Sequence, residues 1–391
     1  MVIIITKVLC YHQVYIADEL YKIYGQDFAF IQMREPLDWR VANKQEGFVR
    51  PYLYSYSKTP SEVKELIKNA DVLIFGEAPL KLIRLRKKDC LLMKMSENIF
   101  KESKDNVSFF GKIKRFVSYK YLKLLTNNAH SYLLSSSGFA YRDYYKLGIF
   151  KNRSLKWGYF PYIPHIERHE IKNKYFRQTI ELVWISRLVG YKNPLCLIEL
   201  VKHLNSKGIL NYHITVVGNS DESDVDYFSI LKSKIEDMDL SKWILLIGKI
   251  PSDKVFEYYK NANIALFTAD KSEGWSVGIN EAMSCGCVIV TSNTIGAAPF
   301  LIENNDGVVF KYDSVNDFCC AVEKLLNNRD KLFKIAFSNF EKIHNIWNYK
   351  NASKNLSIVI DGYLKDKTIR PVVFGPCSVA NIIDYDWYKK R

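Results

Sequence analysis

No window of the sequence approaches the roughly 18 consecutive apolar residues that a membrane-crossing helix needs, so any membrane contact is expected to be peripheral. Glycine and proline are scarce, 18 and 11 of 391 residues, which excludes collagen-like and low-complexity chains. No Cys-x-x-Cys occurs among the eight cysteines, and the neighbours Cys319 and Cys320 make poor disulfide partners. With Cys10, Cys90, Cys196, Cys285, Cys287 and Cys377 they are scattered through apolar stretches and read as reduced core residues of a cytoplasmic protein. The opening MVIIITKVL lacks the basic start and longer apolar region of a secretory leader, and a buried first strand is expected there.

The chain is otherwise rich in core-forming material. With 48% hydrophobic residues, 26 Tyr, 22 Phe and 7 Trp it cannot stay solvated as a disordered chain. At roughly 150 residues per domain, its length suggests two or three domains. Lys and Arg exceed Asp and Glu, 56 against 42, for a net charge of +14. The excess is concentrated in residues 81–123, which hold 13 basic and 4 acidic side chains. Such a surplus favours polyanionic partners: nucleic acid, acidic lipid or phosphorylated ligands.

Short apolar runs alternate with amphipathic stretches. Candidate strands fall at 2–9, 28–33, 71–76, 90–95, 131–136, 182–186, 213–218, 244–248, 264–269, 287–292 and 307–310. Helical patterns lie between them, at 60–70, 193–208, 252–262 and 315–328 among others. Continuous apolar strands alternating with helices predict an α/β fold with parallel sheets covered on both faces. Eleven strands exceed one doubly wound sheet. The aperiodic, polar segment 160–181, with two prolines, marks the break between two stacked domains with a cleft between them. The expected boundaries are 1–165, an unstructured linker at 166–180, 181–350, and a final stretch at 351–391 packing back on the first domain.

The chemistry concentrates in SEGWSVGINEAMSCG (272–286), directly after the strand IALFTA. Glu273 and Glu281 lie eight apart, and Gly274 and Gly278 allow a ligand close to the backbone. A helix is expected from about Val277, with Ser276 as its N-cap, Glu281 in its second turn and Gly286 near its end. Its start would offer the N–H groups of Ser276, Val277 and Gly278 to an anion. Upstream, LVWIS ends at Arg187, and Lys192 follows in RLVGYKNP, with Pro194 suited to a helix start. Two cations on one strand-to-helix loop make a diphosphate clamp, and a nearby carboxylate can align sugar hydroxyls or stabilise a cationic ring. No Asp-x-Asp cluster stands at the end of a candidate strand, and no metal is expected. His165 and His169, four apart around Glu167, supply no third ligand.

This ordered set resembles the retaining glycosyltransferases of family four, with their Glu-x7-Glu motif and their Arg/Lys pair after the first strand of the C-terminal domain. HITVVGN (213–219), the run 244–267 and the run 287–310 resemble the flanking family pattern in order, over about residues 180–330. The resemblance implies the GT-B fold: two Rossmann-like parallel-sheet domains facing across a cleft, the first taking the acceptor and the second a nucleotide-sugar donor. It implies that Glu273 contacts the donor sugar, that Glu281 holds ribose hydroxyls, and that Arg187 and Lys192 hold the diphosphate. The N–H groups of Ser276, Val277 and Gly278 would assist, and Gly218, Asn219 and Lys249 would flank the base. The reaction implied is retaining, metal-independent transfer of a hexose-type sugar to a hydroxyl of a glycan or lipid-linked acceptor, without a cofactor, in surface polysaccharide biosynthesis.

The N-terminal half departs from that pattern. Tyr11-His12-Gln13 stands where the family often has a Gly-Gly loop, and Ser96-Glu97-Asn98 where many members carry a His. Glu97 and His12 become candidates for orienting donor or acceptor, and His12 reads equally as a satisfied structural histidine. The segment 109–125 spaces Phe109, Phe110, Ile113, Phe116, Val117, Tyr121, Leu124 and Leu125 helically, with Lys112, Arg115, Tyr119 and Lys123 on another face. It reads equally as a helix lying on an anionic membrane surface, the inner face of the cell membrane for a cytoplasmic enzyme, or as a core-facing helix with a solvated basic side. Competing functions are a sugar-nucleotide epimerase or a phosphorylase on the same fold, and a basic nucleic-acid-binding protein. No RNP, zinc-finger or helix-turn-helix pattern supports the last, so nucleic acid is not expected as a partner.

Overall fold

The computed structural model describes residues 1–100, 109–220, 225–303 and 306–390. They form two compact units. One comprises Met1–Tyr162 with Ile346–Asp384, the other Ile163–Asn345 with the chain end from Tyr385.

The first domain is built on seven parallel strands: β1 (Val2–Thr6), β2 (Phe28–Gln32), β3 (Leu53–Ser55), β4 (Val72–Phe75), β5 (Leu91–Ser96), β6 (Ser131–Ser135) and β7 (Ser154–Lys156). Their order is β3-β2-β1-β4-β5-β6-β7. Every residue of β1, β2 and β4 is buried, as expected of strands covered on both faces. The second domain orders six parallel strands as β10-β9-β8-β11-β12-β13. They are β8 (Ile180–Ile185), β9 (Tyr212–Val217), β10 (Ile244–Gly248), β11 (Ile264–Phe267), β12 (Val288–Ser292) and β13 (Gly307–Phe310).

All eleven expected strands are present. The two additions, β3 and β7, are three-residue edge strands without an apolar run. The expected linker is also more ordered than its composition suggests. Arg168–Tyr175 is a helix of the second domain, secured by the buried side chains of Ile171 and Lys174. The Lys174 ammonium donates to the carbonyls of Ala262 and Cys285, each at 2.7 Å.

After Asn345 the chain rejoins the first domain. The helix Tyr349–Asp366 is N-capped by Asn348, whose side chain accepts the Asn351 N–H. It packs on the helix Tyr11–Tyr24, where Tyr24 donates its hydroxyl to Asp361 and the Ser353 hydroxyl reaches the Ile16 carbonyl. Residues 377–380 then run antiparallel to β7, with Lys156 N–H donating to Ser378 and Ala380 N–H to Ser154, and so cover that sheet edge.

The basic stretch is helical over Phe109–Thr126, and the side chains of residues 109–114, including Phe109, Phe110, Lys112 and Ile113, lie outside the described set. Leu122 and Thr126 form the buried side, with Tyr119 and Leu125 half-buried. Phe116, Val117 and Leu124, which the spacing put on the apolar face, point outward beside Arg115, Lys120 and Lys123. Of the two readings, the core-facing one fails for these three residues: the face that packs is set by the tertiary neighbours, not by the most apolar side of the helix. No described helix is long and apolar enough to cross a membrane.

Candidate functional site

The two sheets reverse their winding at a defined place. In the second domain, successive connections from β8 run outward through β9 and β10, while those from β11 run the other way through β12 and β13. The carboxyl ends of β8 and β11 therefore flank a topological switch point, where open α/β sheets bind ligands. Lys192 reaches it from the loop after β8, and Glu273 from the loop after β11. Their side chains form a direct ion pair, each only about one-seventh exposed. Backbone bonds hold the two loops together. Asp270 N–H donates to the Tyr191 carbonyl at 2.8 Å, and the Thr268 hydroxyl donates to the Lys192 carbonyl at 2.6 Å. The buried indole N–H of Trp184 fixes that hydroxyl in turn, at 2.9 Å.

The segment after β11 folds as a tight loop and a short helix. Ser272 N–H donates to the Asp270 carboxylate, and Glu273 N–H to the Asp270 carbonyl. Ser276 takes a left-handed conformation, φ +67°. The helix runs Gly278–Ser284, with Val277 and not Ser276 at its N-cap, and Glu281 in its first turn and not its second. Ser276 cannot cap it from the conformation that turns the chain. Trp275 is fully buried, with its indole N–H on Asn280 at 2.7 Å, and this pins the loop to the helix. Among the described residues, the N–H groups of Ser276, Val277 and Gly278 donate to no backbone acceptor. A Cβ at Gly278 would meet the Tyr259 hydroxyl at 3.0 Å and the Phe267 ring at 3.1 Å. The half-buried Glu281 carboxylate lies near Tyr259, whose phenol is pushed well up by burial and then by that charge.

The other expected donor-site residues lie on neighbouring strand ends. Arg187 is exposed past β8 and donates to the Tyr191 hydroxyl at 2.9 Å. Gly218 follows β9, with Asn219 exposed beside it, and Lys249 is exposed past β10. Asn219 is tied to the clamp loop, because its carbonyl accepts the Leu188 N–H at 2.9 Å. Since β10, β9, β8 and β11 are consecutive in the sheet, Lys249, Asn219, Arg187 and Glu273 share its carboxyl edge.

The switch point of the first domain lies between β1 and β4. His12 stands there in the first turn of the helix Tyr11–Tyr24, not in a loop. Its ring stacks on Tyr159 with centroids 4.2 Å apart, and its Nε2 lies 3.2 Å from the Cys10 sulfur. Burial lowers the imidazole to about 4, against the opposing pull of the Glu97 carboxylate. Burial pushes the Cys10 thiol up to about 12, so it stays protonated. Glu97, just past β5, hydrogen-bonds Tyr159, whose phenol is pushed well up by burial and by that carboxylate. The loop that carries Glu97 is anchored by Asp143, which is fully buried and accepts the Ile99 and Phe100 N–H groups. Beside it, the buried Asn98 amide and Ser136 hydroxyl have no hydrogen-bond partner among the described residues. Asn98 comes with its sequence neighbour Glu97, whereas Tyr159 and Ser136 were not legible as site residues: only the fold brings Tyr159 onto His12 and Ser136 onto the strand end before Glu97.

Fold and site together describe two doubly wound α/β domains, the second with a paired cation and carboxylate at its switch point. Residues 166–337 match the family model described as glycosyl transferases group 1. An uncharacterized glycosyltransferase of Methanocaldococcus jannaschii is 27% identical over 201 residues, 50% of this chain and 48% of that protein. A capsular polysaccharide biosynthesis glycosyltransferase of Staphylococcus aureus, CapH, is 25% identical over 196 residues, 50% of this chain and 51% of its own. The chain thus spans about half the length of these relatives. Among solved structures, HepE of Anabaena in complex with UDP superposes with a TM-score of 0.67 at 13% identity, over 93% of this chain and 100% of that one. That likeness is one of fold, and the GT-B architecture is the one this chain has.

Proposed function

We propose that this protein is a retaining glycosyltransferase that moves a hexose-type sugar from a nucleotide-diphosphate sugar to an acceptor hydroxyl, in the biosynthesis of a surface polysaccharide or related glycan. The observation that carries this reading is the Lys192–Glu273 pair at the β8/β11 switch point, within the stretch that matches the glycosyl transferases group 1 model. Arg187 and Lys192 neutralise the donor diphosphate, and the N–H groups of Ser276, Val277 and Gly278 complete its anion site. As the glycosidic C–O bond to phosphate breaks, negative charge grows on the leaving diphosphate, and fixed cations stabilise it most at that moment. Glu273 holds donor-sugar hydroxyls and stabilises positive charge at the ring. Glu281 binds the ribose hydroxyls, while Gly218, Asn219 and Lys249 flank the base.

In the first domain, His12 is neutral at pH 7 and can accept a hydrogen bond from an acceptor or donor hydroxyl, with its ring stacked on Tyr159, which Glu97 in turn holds. The amide of Asn98 and hydroxyl of Ser136, without a hydrogen-bond partner among the described residues, suit a hydroxyl-rich acceptor, since buried polar groups otherwise lack compensation. The outward Phe116, Val117 and Leu124, interleaved with Arg115, Lys120 and Lys123, suit a lipid-linked acceptor met at an anionic membrane surface.

A panel of UDP-, GDP- and ADP-sugars screened by thermal shift tests the donor. The true donor, at 100 times its dissociation constant, should stabilise the protein by roughly 2.7 kcal/mol. Glu273→Ala should abolish transfer while sparing the fold, and NMR of the product should show the anomeric configuration kept. Normal transfer by that variant would remove Glu273 from the site.

A further inference from the structure

The helices Cys196–Ser206 and Val315–Leu326 pack side by side in the second domain. Their outward edges bring together three side chains of different chemistry: His203 from the first, and Cys320 and Glu323 from the second. One ligand atom from each lies within 4.8 Å of the others. His203 Nε2 is 2.6 Å from Glu323 Oε2. Cys320 and Glu323 are three apart on one helix and so share a face. All three are half-buried, open to solvent yet held by the packing beneath them. Of the eight cysteines, Cys320 is the one that is not buried. A shallow groove beside the cluster is lined by Glu199 and Ser206 on one helix and by Asn316 and Cys319 on the other. None of these residues has a part in donor or acceptor binding as described above.

We propose that His203, Cys320 and Glu323 bind a single Zn²⁺ that clamps the two helices together. Thiolate with imidazole selects zinc over the hard oxygen-loving cations, and the carboxylate completes a common zinc donor set. Bonds of roughly 2.0–2.3 Å in a tetrahedron place ligand atoms about 3.3–3.6 Å apart. That spacing requires His203 and Glu323 to part from 2.6 Å, with the Cys320 sulfur already within 4.8 Å of a ligand atom on each. Binding releases the Cys320 thiol proton, together with the His203 imidazolium proton where the ion pair with Glu323 is formed, and water takes the fourth position. The complex is charge-neutral: Zn²⁺ is balanced by one thiolate and one carboxylate, with a neutral imidazole. The metal replaces an ion pair that exists only while His203 is protonated. It also fixes the helix that directly follows the Arg187–Lys192 loop.

Thiol titration of the full chain tests this, because Cys320 is the one cysteine a bulky reagent can reach in the folded protein. One equivalent of Zn²⁺ should slow its modification roughly tenfold or more, since the metal occupies the reacting thiolate, and a chelator should restore the rate. Co²⁺ in place of Zn²⁺ should give a thiolate-to-metal charge-transfer band and the visible bands of tetrahedral cobalt. Cys320→Ser should remove the band, and His203→Gln or Glu323→Gln should each weaken Co²⁺ binding by roughly tenfold or more. Modification of Cys320 at an unchanged rate in excess Zn²⁺, or a cobalt spectrum that survives Cys320→Ser, would overturn the assignment.

Discussion

The Cβ that Gly218 lacks would lie 1.8 Å from the backbone oxygen of Ser186. Chain leaving β9 crosses directly over chain leaving β8, and φ at Gly218 is +141°, a region L-residues rarely adopt. Close approach and backbone angle both demand glycine, at the place where Asn219 ties into the clamp loop. Gly218→Ala should destabilise the protein by roughly 2–4 kcal/mol, read as a lower urea midpoint. Whatever folds should bind the nucleotide donor poorly, because the crossing sets the Arg187–Lys192 loop. Wild-type stability in this variant would mean that the two strand ends can part without cost.

The ion pair between Lys192 and Glu273 makes the two residues separable by experiment. Lys192→Ala removes the proposed diphosphate ligand and should weaken binding of the donor's nucleoside diphosphate by roughly tenfold or more, the scale of one charge-assisted contact. Glu273→Gln instead frees Lys192 from its partner. Nucleoside-diphosphate affinity should hold or rise, while transfer of the sugar collapses. Isothermal titration with the nucleoside diphosphate of the donor found in the thermal-shift panel and a transfer assay on the same two proteins check the split. Equal loss of nucleotide affinity in both would show that the pair acts as one binding unit, and would remove the proposed role of Glu273 at the sugar.

How much of this was legible in the sequence depends on the range of the forces involved. The buried strands and the loop around Glu273 could be read locally, because apolar runs and glycine spacing are local signals. The helix Arg168–Tyr175 could not: its sequence is polar, and it exists because Ile171 is buried and Lys174 finds its partners far along the chain, at Ala262 and Cys285. The edge strands β3 and β7 are stabilised by neighbours and not by their own three residues. Lys192 and Glu273 were each legible as candidates. Their contact follows only from β8 lying beside β11, which is a fact of sheet order. Ser276 looked like a cap because of its type, yet the chain uses that position to turn.

His12 should leave a pH signature. Burial holds its imidazole at about 4 in the folded state, below the ordinary unfolded value of roughly 6.5. Between those values the unfolded chain takes up a proton that the folded chain refuses. Stability is therefore complete above the unfolded value and declines as pH falls toward 4, by up to about 3 kcal/mol. The groups around the ring are Cys10, Tyr11, Tyr159, Glu97 and Arg40, and the Glu97 charge works against the shift. His12→Gln, neutral at every pH, should lose less stability than wild type between pH 7 and pH 4.5 in a melting series. Parallel curves for the two proteins would show that His12 does not titrate in that range.

The helix Phe109–Thr126 should bind vesicles of anionic lipid and not neutral ones. Basic residues near such a surface contribute roughly 1 kcal/mol each, screened by salt. Lys120→Glu with Lys123→Glu should abolish co-sedimentation, and Phe116→Ser with Leu124→Ser should reduce it at fixed charge. Both variants should keep the wild-type melting temperature, because all four side chains are exposed. No sedimentation of the wild type at low salt would remove the membrane from the proposed function.

Lys174 closes two helices at once. The helix Val255–Asn261 ends at Ala262 and the helix Gly278–Ser284 ends at Cys285, and one buried ammonium accepts the task of satisfying both terminal carbonyls. Carbonyls at helix ends lack intrahelical donors and carry partial negative charge, so a cation there is favourable even though burial lowers its affinity for the proton. Lys174→Met fills similar space, strands the Cys285 oxygen in the interior and leaves the Ala262 oxygen with only the weak Cys287 thiol donor. The expected cost is roughly 2–4 kcal/mol, against less than about 0.5 kcal/mol for Lys172→Met on the exposed side of the same helix. Because the second of the two helices carries Glu281, donor affinity should fall in the first variant and not in the second. Chemical denaturation and nucleotide titration of the pair measure both effects. Loss of stability with donor affinity intact would show that the position of Glu281 is set from the N-terminal side of its helix, through Trp275 and Asn280, and not from its C-terminal end.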